Sequence, residues 1–169
     1  MPKTIRQVKS KEEIQQRIRE LVLEIRATST TGELTIVGIL DDAFMFLADL
    51  VRALDSEISC CFMKVTRHRH GGQSEVTFTS EFDPRGRDIL LVGAVVATGV
   101  TLDYISERLA ACGVKSLRTC MLVDKPGERR VNVKPDLAAF QIDDEFVFGY
   151  GLGIQNQYRQ LPYLAVMDE

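Results

Sequence analysis

Two threonines flank a glycine in the segment Thr98-Gly99-Val100-Thr101, and these residue types at this spacing can hold a phosphate. The segment follows a continuous apolar run and precedes a helix-forming stretch, so it is predicted to lie at a helix N-terminus. Backbone amides and the helix dipole favour an anion there, glycine lets the backbone come close, and the threonines offer hydroxyls. T-G-x-T is a short pattern, so these residues alone leave two interpretations open, a phosphate site and an ordinary capped helix.

A second group with chemical potential combines His68 and His70 with Asp41 and Asp42. Histidines two positions apart point the same way in an extended segment. Together with the two aspartates they would form a His/Asp site of the kind that zinc or manganese accepts. The competing interpretation, a solvated basic loop, is favoured because short motifs match by chance.

The bulk composition is that of an ordinary soluble globular protein. The chain has 169 residues, 45% hydrophobic and 27% charged, and we expect one domain over residues 1–169. No apolar run reaches the length of a membrane span, and the polar N-terminus lacks the apolar core of a signal peptide, so a cytoplasmic location is expected. The net charge of −3 and the lack of a helix-turn-helix candidate argue against nucleic acid as a partner.

The elements that must position these groups alternate along the chain. Strand-like apolar runs and helical stretches follow one another three times between Leu34 and Lys125. That order predicts an α/β fold, a mostly parallel central sheet with helices on both faces. Ligands of such sheets lie beyond the carboxyl ends of the strands. The loops to inspect therefore follow Leu40, Val65, Val96 and Val123.

Local signals predict several element ends. Ser10 with Glu13 three residues later is a capping box, which predicts the start of the first helix. Gly113 is expected as the residue that ends the third helix. The segments 137–142 and 145–151 are predicted to be short strands.

Four segments together resemble a known family. They are VGILDDAFMFLADLVRAL, GRDILLVGAVVATGVTL, LVDKP and PDLAAFQIDDEFVFGYGLGIQNQYRQLPY. The chain resembles the hypoxanthine-guanine phosphoribosyltransferases, type I phosphoribosyltransferases of purine salvage. The resemblance implies a type I phosphoribosyltransferase fold with a small hood formed by the chain ends, and a homodimer or homotetramer. It also implies attack of a purine base on phosphoribosyl pyrophosphate, with magnesium present, to give a nucleoside monophosphate and pyrophosphate.

The resemblance assigns binding roles to several positions. Lys125 matches the lysine that reads the exocyclic oxygen of the purine, Phe146 matches the aromatic residue that stacks on the base, and the backbone of Val147 matches a contact to the base edge. Arg159 matches an arginine near the pyrophosphate. The positions that match the loop around the 5′-phosphate are Ala97, Thr98, Gly99, Val100 and Thr101.

The departures from the family pattern fall on its acids. Gly93 and Ala94 stand where two acids hold the ribose hydroxyls and, through them, magnesium. Ala97 stands where a third acid acts on the proton of the base, and Gly153 where an aspartate binds magnesium. The pair Asp41-Asp42 replaces the lysine-glycine pair of the pyrophosphate loop.

These departures act together. Magnesium needs oxygen ligands, general acid–base catalysis needs a titratable group, and a carboxylate ~4 Å from a phosphate charge costs ~4 kcal/mol at an effective dielectric of ~20. We therefore expect no catalytic base, no metal ligands and a catalytically impaired relative that binds a purine nucleotide or a similar phosphorylated ligand. The alternative is an active purine salvage enzyme that makes IMP or GMP. Asp103 and Asp124 are possible replacements for a lost acid, and Asp124 is the more credible of the two.

Overall fold

The computed structural model describes residues 4–29, 33–66, 75–79, 81–143 and 145–168. Strands and helices alternate through most of this length. The elements are β1 Thr4–Lys9, α1 Lys11–Thr28, β2 Leu34–Leu40, α2 Phe44–Leu54, β3 Ile58–Thr66, β4 Glu75–Phe78, β5 Asp88–Val96, α3 Val100–Ala111, β6 Ser116–Asp124, a short 3₁₀ turn Pro126–Glu128, β7 Leu137–Gln141 and β8 Leu164–Asp168.

Six strands form the central sheet in the order β4-β3-β2-β5-β6-β7. All neighbouring pairs are parallel except β3 and β4, which run antiparallel at one edge. The predicted α/β class with a mostly parallel sheet is confirmed. Strands β1 and β8 pair separately as an antiparallel ribbon, which is the predicted hood formed by the chain ends.

Helices cover both faces of the sheet, as predicted. Alternate side chains of β2 and β5, such as Ile36 and Leu90, pack with α1 and α2 in one core cluster. Their neighbours Val37 and Leu91 point the other way and pack with α3 in a second cluster. Because β5 is covered on both sides, residues 89–92 are completely buried, and the strand is a continuous apolar run. Within the described residues, no helix is both long enough and apolar enough to cross a bilayer.

The predicted ends of two helices are confirmed. The Ser10 hydroxyl accepts a hydrogen bond from the Glu13 amide at 3.1 Å, and the Glu13 carboxylate accepts one from the Ser10 amide at 2.8 Å. This reciprocal capping box satisfies two amides at the start of α1. After α3, Gly113 adopts a φ of +76°, the left-handed conformation in which glycine commonly ends a helix.

One predicted strand is wrong. Residues 145–151 form no regular strand, and Phe148 makes only an isolated bridge to Ala165. The physical reason is the backbone, because Gly149, Tyr150 and Gly151 all have positive φ values, which a pleated strand does not accommodate. The segment 137–142, by contrast, contains β7.

Candidate functional site

A cleft of about 600 Å³ opens beyond the carboxyl ends of the parallel strands. Its walls come from the ends of β2, β3 and β5, from the turn between β5 and α3, and from Met121 of β6. Two of the four loops that strand order singled out, those after Leu40 and Val96, thus line one cavity, and Lys64 and Val65 at the end of β3 line it as well. The cleft lies at the edge of the sheet where the ligand site was predicted.

The turn from Ala97 to Thr101 has the geometry of a helix N-terminus, as predicted. Helix α3 begins at Val100, and Gly99 precedes it with a φ of +83°. A Cβ at Gly99 would lie 2.5 Å from Cγ1 of Val133, so both conformation and space require glycine. The Thr98 hydroxyl accepts from the Val100 amide at 3.4 Å. Thr98, Gly99 and Thr101 line the cleft, and the first turn of a helix offers amides that no carbonyl within it accepts.

An arginine that the sequence did not single out supports this turn. Arg129 donates to the carbonyl of Ala97 at 2.7 Å and to that of Val96 at 3.3 Å. Its other terminal nitrogen pairs with Asp124. In the sequence, Arg129 lies in the charged run that follows LVDKP, and nothing in its spacing connects it to the turn.

The pair of Arg129 and Asp124 bears on whether Asp124 replaces a lost acid. Asp124 is 3% exposed, and its carboxylate is held by Arg129. Asp103 lies in the first turn of α3 and outside the cleft wall. The Asp124 carboxylate is thus engaged by Arg129 and neither acid lines the cleft, so a replacement role for Asp124, the more credible of the two, stays a prediction.

Other side chains fill the space beside two of the missing acids. A Cβ at Gly93 would lie 2.7 Å from the sulfur of Met121, its partner on the neighbouring strand. A Cβ at Gly153 would lie 2.9 Å from Nε of Arg159. The positions are therefore packed, and a longer side chain would need its neighbour to move.

The residues present do not fit magnesium. Gly93, Ala94 and Gly153 carry no side-chain oxygen, and the described part of the chain contains no cluster of three or more His, Cys, Asp or Glu residues that could hold a metal ion. Magnesium is held in proteins by carboxylates together with phosphate and water oxygens. His68 and His70 lie outside the described residues, so the zinc or manganese site with Asp41 and Asp42 stays a prediction, which elemental analysis of the purified protein tests.

The residues predicted for the pyrophosphate region do come together. Asp41 and Asp42 follow β2 and line the cleft. The Asp42 carboxylate accepts a hydrogen bond from Arg159 at 2.5 Å, and the same nitrogen of Arg159 donates to the carbonyl of Gly151 at 2.6 Å. Asp41 lies 3.9 Å from the ammonium of Lys64, and both side chains are largely exposed. Each of the two aspartates thus has a cationic side chain beside it, so these four side chains together carry no net charge.

The residues predicted for the purine lie outside the cleft wall just described, and of these Lys125 adjoins the turn. Lys125 follows β6, its amide donates to the Val96 carbonyl at 2.9 Å, and its ammonium pairs with Glu128. Phe146 is 68% exposed, so most of its ring surface is available for stacking, whereas Val147 is buried. Their roles toward a base stay predictions.

Comparison with known proteins agrees with the fold. The Phosphoribosyl transferase domain family matches residues 4–155. The hypoxanthine-guanine phosphoribosyltransferase of Bacillus subtilis is 35% identical over 94% of this chain and 90% of its own length. The hypoxanthine phosphoribosyltransferase of Escherichia coli is 37% identical over 93% of both chains.

Solved structures give the same result. A hypoxanthine-guanine phosphoribosyltransferase from Bacillus anthracis superposes with a TM-score of 0.89 at 27% identity and covers 98% of this chain and all of its own. The hypoxanthine phosphoribosyltransferase from Trypanosoma cruzi, solved in complex with the product IMP, superposes with a TM-score of 0.90 at 29% identity, over 96% of this chain and 94% of its own. The chain belongs to the hypoxanthine-guanine phosphoribosyltransferase family.

Proposed function

We propose that this chain binds a purine 5′-monophosphate and transfers phosphoribosyl groups far more slowly than its relatives, or not at all. The observation that carries the proposal is the packing of two acid positions, where Met121 fills the space beside Gly93 and Arg159 fills the space beside Gly153. These positions do not look like an intact metal site with one group lost. The side chains of Met121 and Arg159 lie directly against them and would have to shift for an acid to stand there.

The phosphate half of the site supports nucleotide binding. The turn at Thr98–Thr101 offers backbone amides at a helix N-terminus, and this kind of site holds a phosphate without any metal. The solved Trypanosoma cruzi relative holds IMP, which combines such a phosphate with a purine. In this chain Lys125 and Phe146 would contact the purine, with Phe146 supplying the exposed ring.

The catalytic half of the site lacks the groups that the reaction uses. Ala97 has no titratable side chain, and general acid–base catalysis typically contributes about 10²–10⁴-fold to a rate. Without carboxylates at 93, 94 and 153, the chain also lacks the oxygens that would hold magnesium against a diphosphate. A monophosphate needs neither group in order to bind.

Calorimetry and a transfer assay test the proposal. IMP and GMP are titrated into the full chain, and phosphoribosyl pyrophosphate is titrated with and without magnesium. We expect saturable binding of a monophosphate, weaker binding of phosphoribosyl pyrophosphate and no strengthening by magnesium. The Escherichia coli relative, assayed in parallel, is the positive control for transfer. Turnover by this chain at a comparable rate would overturn the proposal.

The second candidate is an active purine salvage enzyme that makes IMP or GMP. The names of the relatives favour it, since proteins 35–37% identical over most of this chain are called phosphoribosyltransferases. The same assay separates the two candidates, because the active enzyme would form IMP from hypoxanthine and phosphoribosyl pyrophosphate in a magnesium-dependent manner.

Two expectations from the resemblance belong to this proposal. We propose a homodimer or homotetramer in the cytoplasm. Light scattering coupled to size-exclusion chromatography measures the mass of the particle against the 19.0 kDa chain, and cell fractionation measures its location.

A further inference from the structure

We propose that Asp42 is a specificity-determining residue that excludes diphosphates from the cleft by occupying the guanidinium of Arg159. This inference rests on the proposed function and deepens it, because it names the group that distinguishes a monophosphate from a diphosphate ligand. The Asp42 carboxylate competes with the second phosphate of a ligand for the guanidinium of Arg159.

Both terminal nitrogens of Arg159 are engaged by oxygens of the chain itself. One terminal nitrogen contacts Asp42 at 2.5 Å and the Gly151 carbonyl at 2.6 Å. The other donates to the side-chain oxygen of Asn156 at 3.3 Å. The Arg159 side chain is only 26% exposed, so a ligand reaches its charge mainly by displacing the Asp42 carboxylate.

Close backbone packing holds this pair in place. A Cβ at Gly151 would lie 2.6 Å from the carbonyl oxygen of Asp42, so the loop that carries Asp42 packs directly against the backbone of Gly151. The guanidinium in turn lies over Gly153, where a Cβ would be 2.9 Å from its Nε. The contact between Asp42 and Arg159 is therefore fixed by two glycine positions as well as by charge.

The neighbouring aspartate provides a matched control. Asp41 carries the same charge and lines the same cleft, but its carboxylate lies 3.9 Å from the Lys64 ammonium, whereas Arg159 pairs with Asp42. General repulsion of anions would be relieved by neutralising either residue. Release of Arg159 follows only from a change at Asp42.

The experiment is calorimetric titration of inorganic pyrophosphate, without magnesium, into the full chain and its variants. We expect Asp42→Asn to tighten pyrophosphate binding by about tenfold or more, since a charge-assisted contact to Arg159 is gained and a repulsion is lost. Asp41→Asn should tighten it by no more than about threefold, because an exposed charge is screened by solvent. The double variant Asp42→Asn with Arg159→Gln should lose the gain.

Two further measurements make the outcomes decisive. Asp42→Ser repeats the test with a different side chain, and circular dichroism checks the fold of each variant. Equal gains from Asp42→Asn and Asp41→Asn, or a gain that survives Arg159→Gln, would overturn the inference. Failure of the unaltered chain to bind IMP would instead count against the proposed function, because the pyrophosphate comparison among the variants does not depend on IMP.

Discussion

Gly93 and Met121 are complementary in size, and this pair shows how the site has been rebuilt at the scale of single residues. They are register partners on β5 and β6, and the methionine sulfur occupies the volume next to the glycine. The sequence showed that an acid is missing at position 93. It could not show that the volume is filled, because the filling side chain is brought there by strand pairing.

Gly93→Glu is predicted to destabilise the protein. The new side chain meets the thioether of Met121 at the cleft wall, which must shift, and such overpacking costs up to about 1–3 kcal/mol. Urea unfolding measures the change in free energy of unfolding. Ala94→Glu is the control, since position 94 is only partly buried, and Met121→Thr in the Gly93→Glu background should recover part of the loss. Equal stability of Gly93→Glu and the unaltered chain would contradict the packing argument.

At the scale of elements, the turn before α3 depends on Gly99, and Gly113, just beyond the other end of the same helix, is the matched control. Gly99→Ala is predicted to lower the free energy of unfolding by about 1 kcal/mol or more, because φ is positive and Val133 leaves no room. It should also abolish binding of a purine monophosphate. Gly113→Ala shares the positive φ, but its nearest neighbour is 3.8 Å away and it lies at the other end of α3.

Calorimetry with IMP and denaturant unfolding separate the two effects. Gly113→Ala should reduce stability and leave IMP binding intact. Loss of IMP binding in both variants would mean that binding reports helix stability rather than the geometry of the turn.

The capping box of α1 predicts a pH dependence. The Ser10 amide, followed by the Lys9 ammonium, lowers the pKa of Glu13 below its ordinary value of 4.5. A lowered folded-state pKa contributes stability that is present above the unfolded value and lost as the pH falls through the folded one. Glu13→Gln should therefore lose stability at neutral pH, and this deficit should shrink below about pH 4.5.

Thermal unfolding between pH 7 and pH 3 measures this convergence. Glu12→Gln removes a neighbouring carboxylate from the same turn and keeps the capping box, so its difference from the unaltered chain should vary less with pH. A Glu13→Gln deficit that is constant over the whole range would contradict the assignment.

The elements were predictable to different degrees. Continuous apolar runs and capping signals predicted β2, β5, β6 and α1, because those patterns depend on near neighbours in the sequence. The prediction for segment 145–151 failed because three successive residues have positive φ values, which the run of apolar residues does not reveal. The ribbon of β1 and β8 also joins segments far apart in sequence. Such pairings leave little local signal.

At the scale of the whole molecule, a bound nucleotide should stabilise the folded chain. A ligand that binds only the native state at 100 times its Kd adds about 2.7 kcal/mol, which corresponds to a rise in Tm of about 5–10 °C for a chain of this size. We expect this rise with IMP or GMP. Inosine, which lacks the phosphate, should give a much smaller one, and an equal rise with inosine would place the binding energy outside the phosphate turn.

Asp42 and Arg159 are 117 positions apart along the chain. Contacts of such long sequence separation require a large loop to close, and they are typically made after the more local ones. The floor of the cleft, built from β2 and β5, can therefore assemble before Arg159 reaches the Asp42 carboxylate. Under the inference above, discrimination between phosphate ligands then arises only once the segment that carries Arg159 has packed against the loop that carries Asp42.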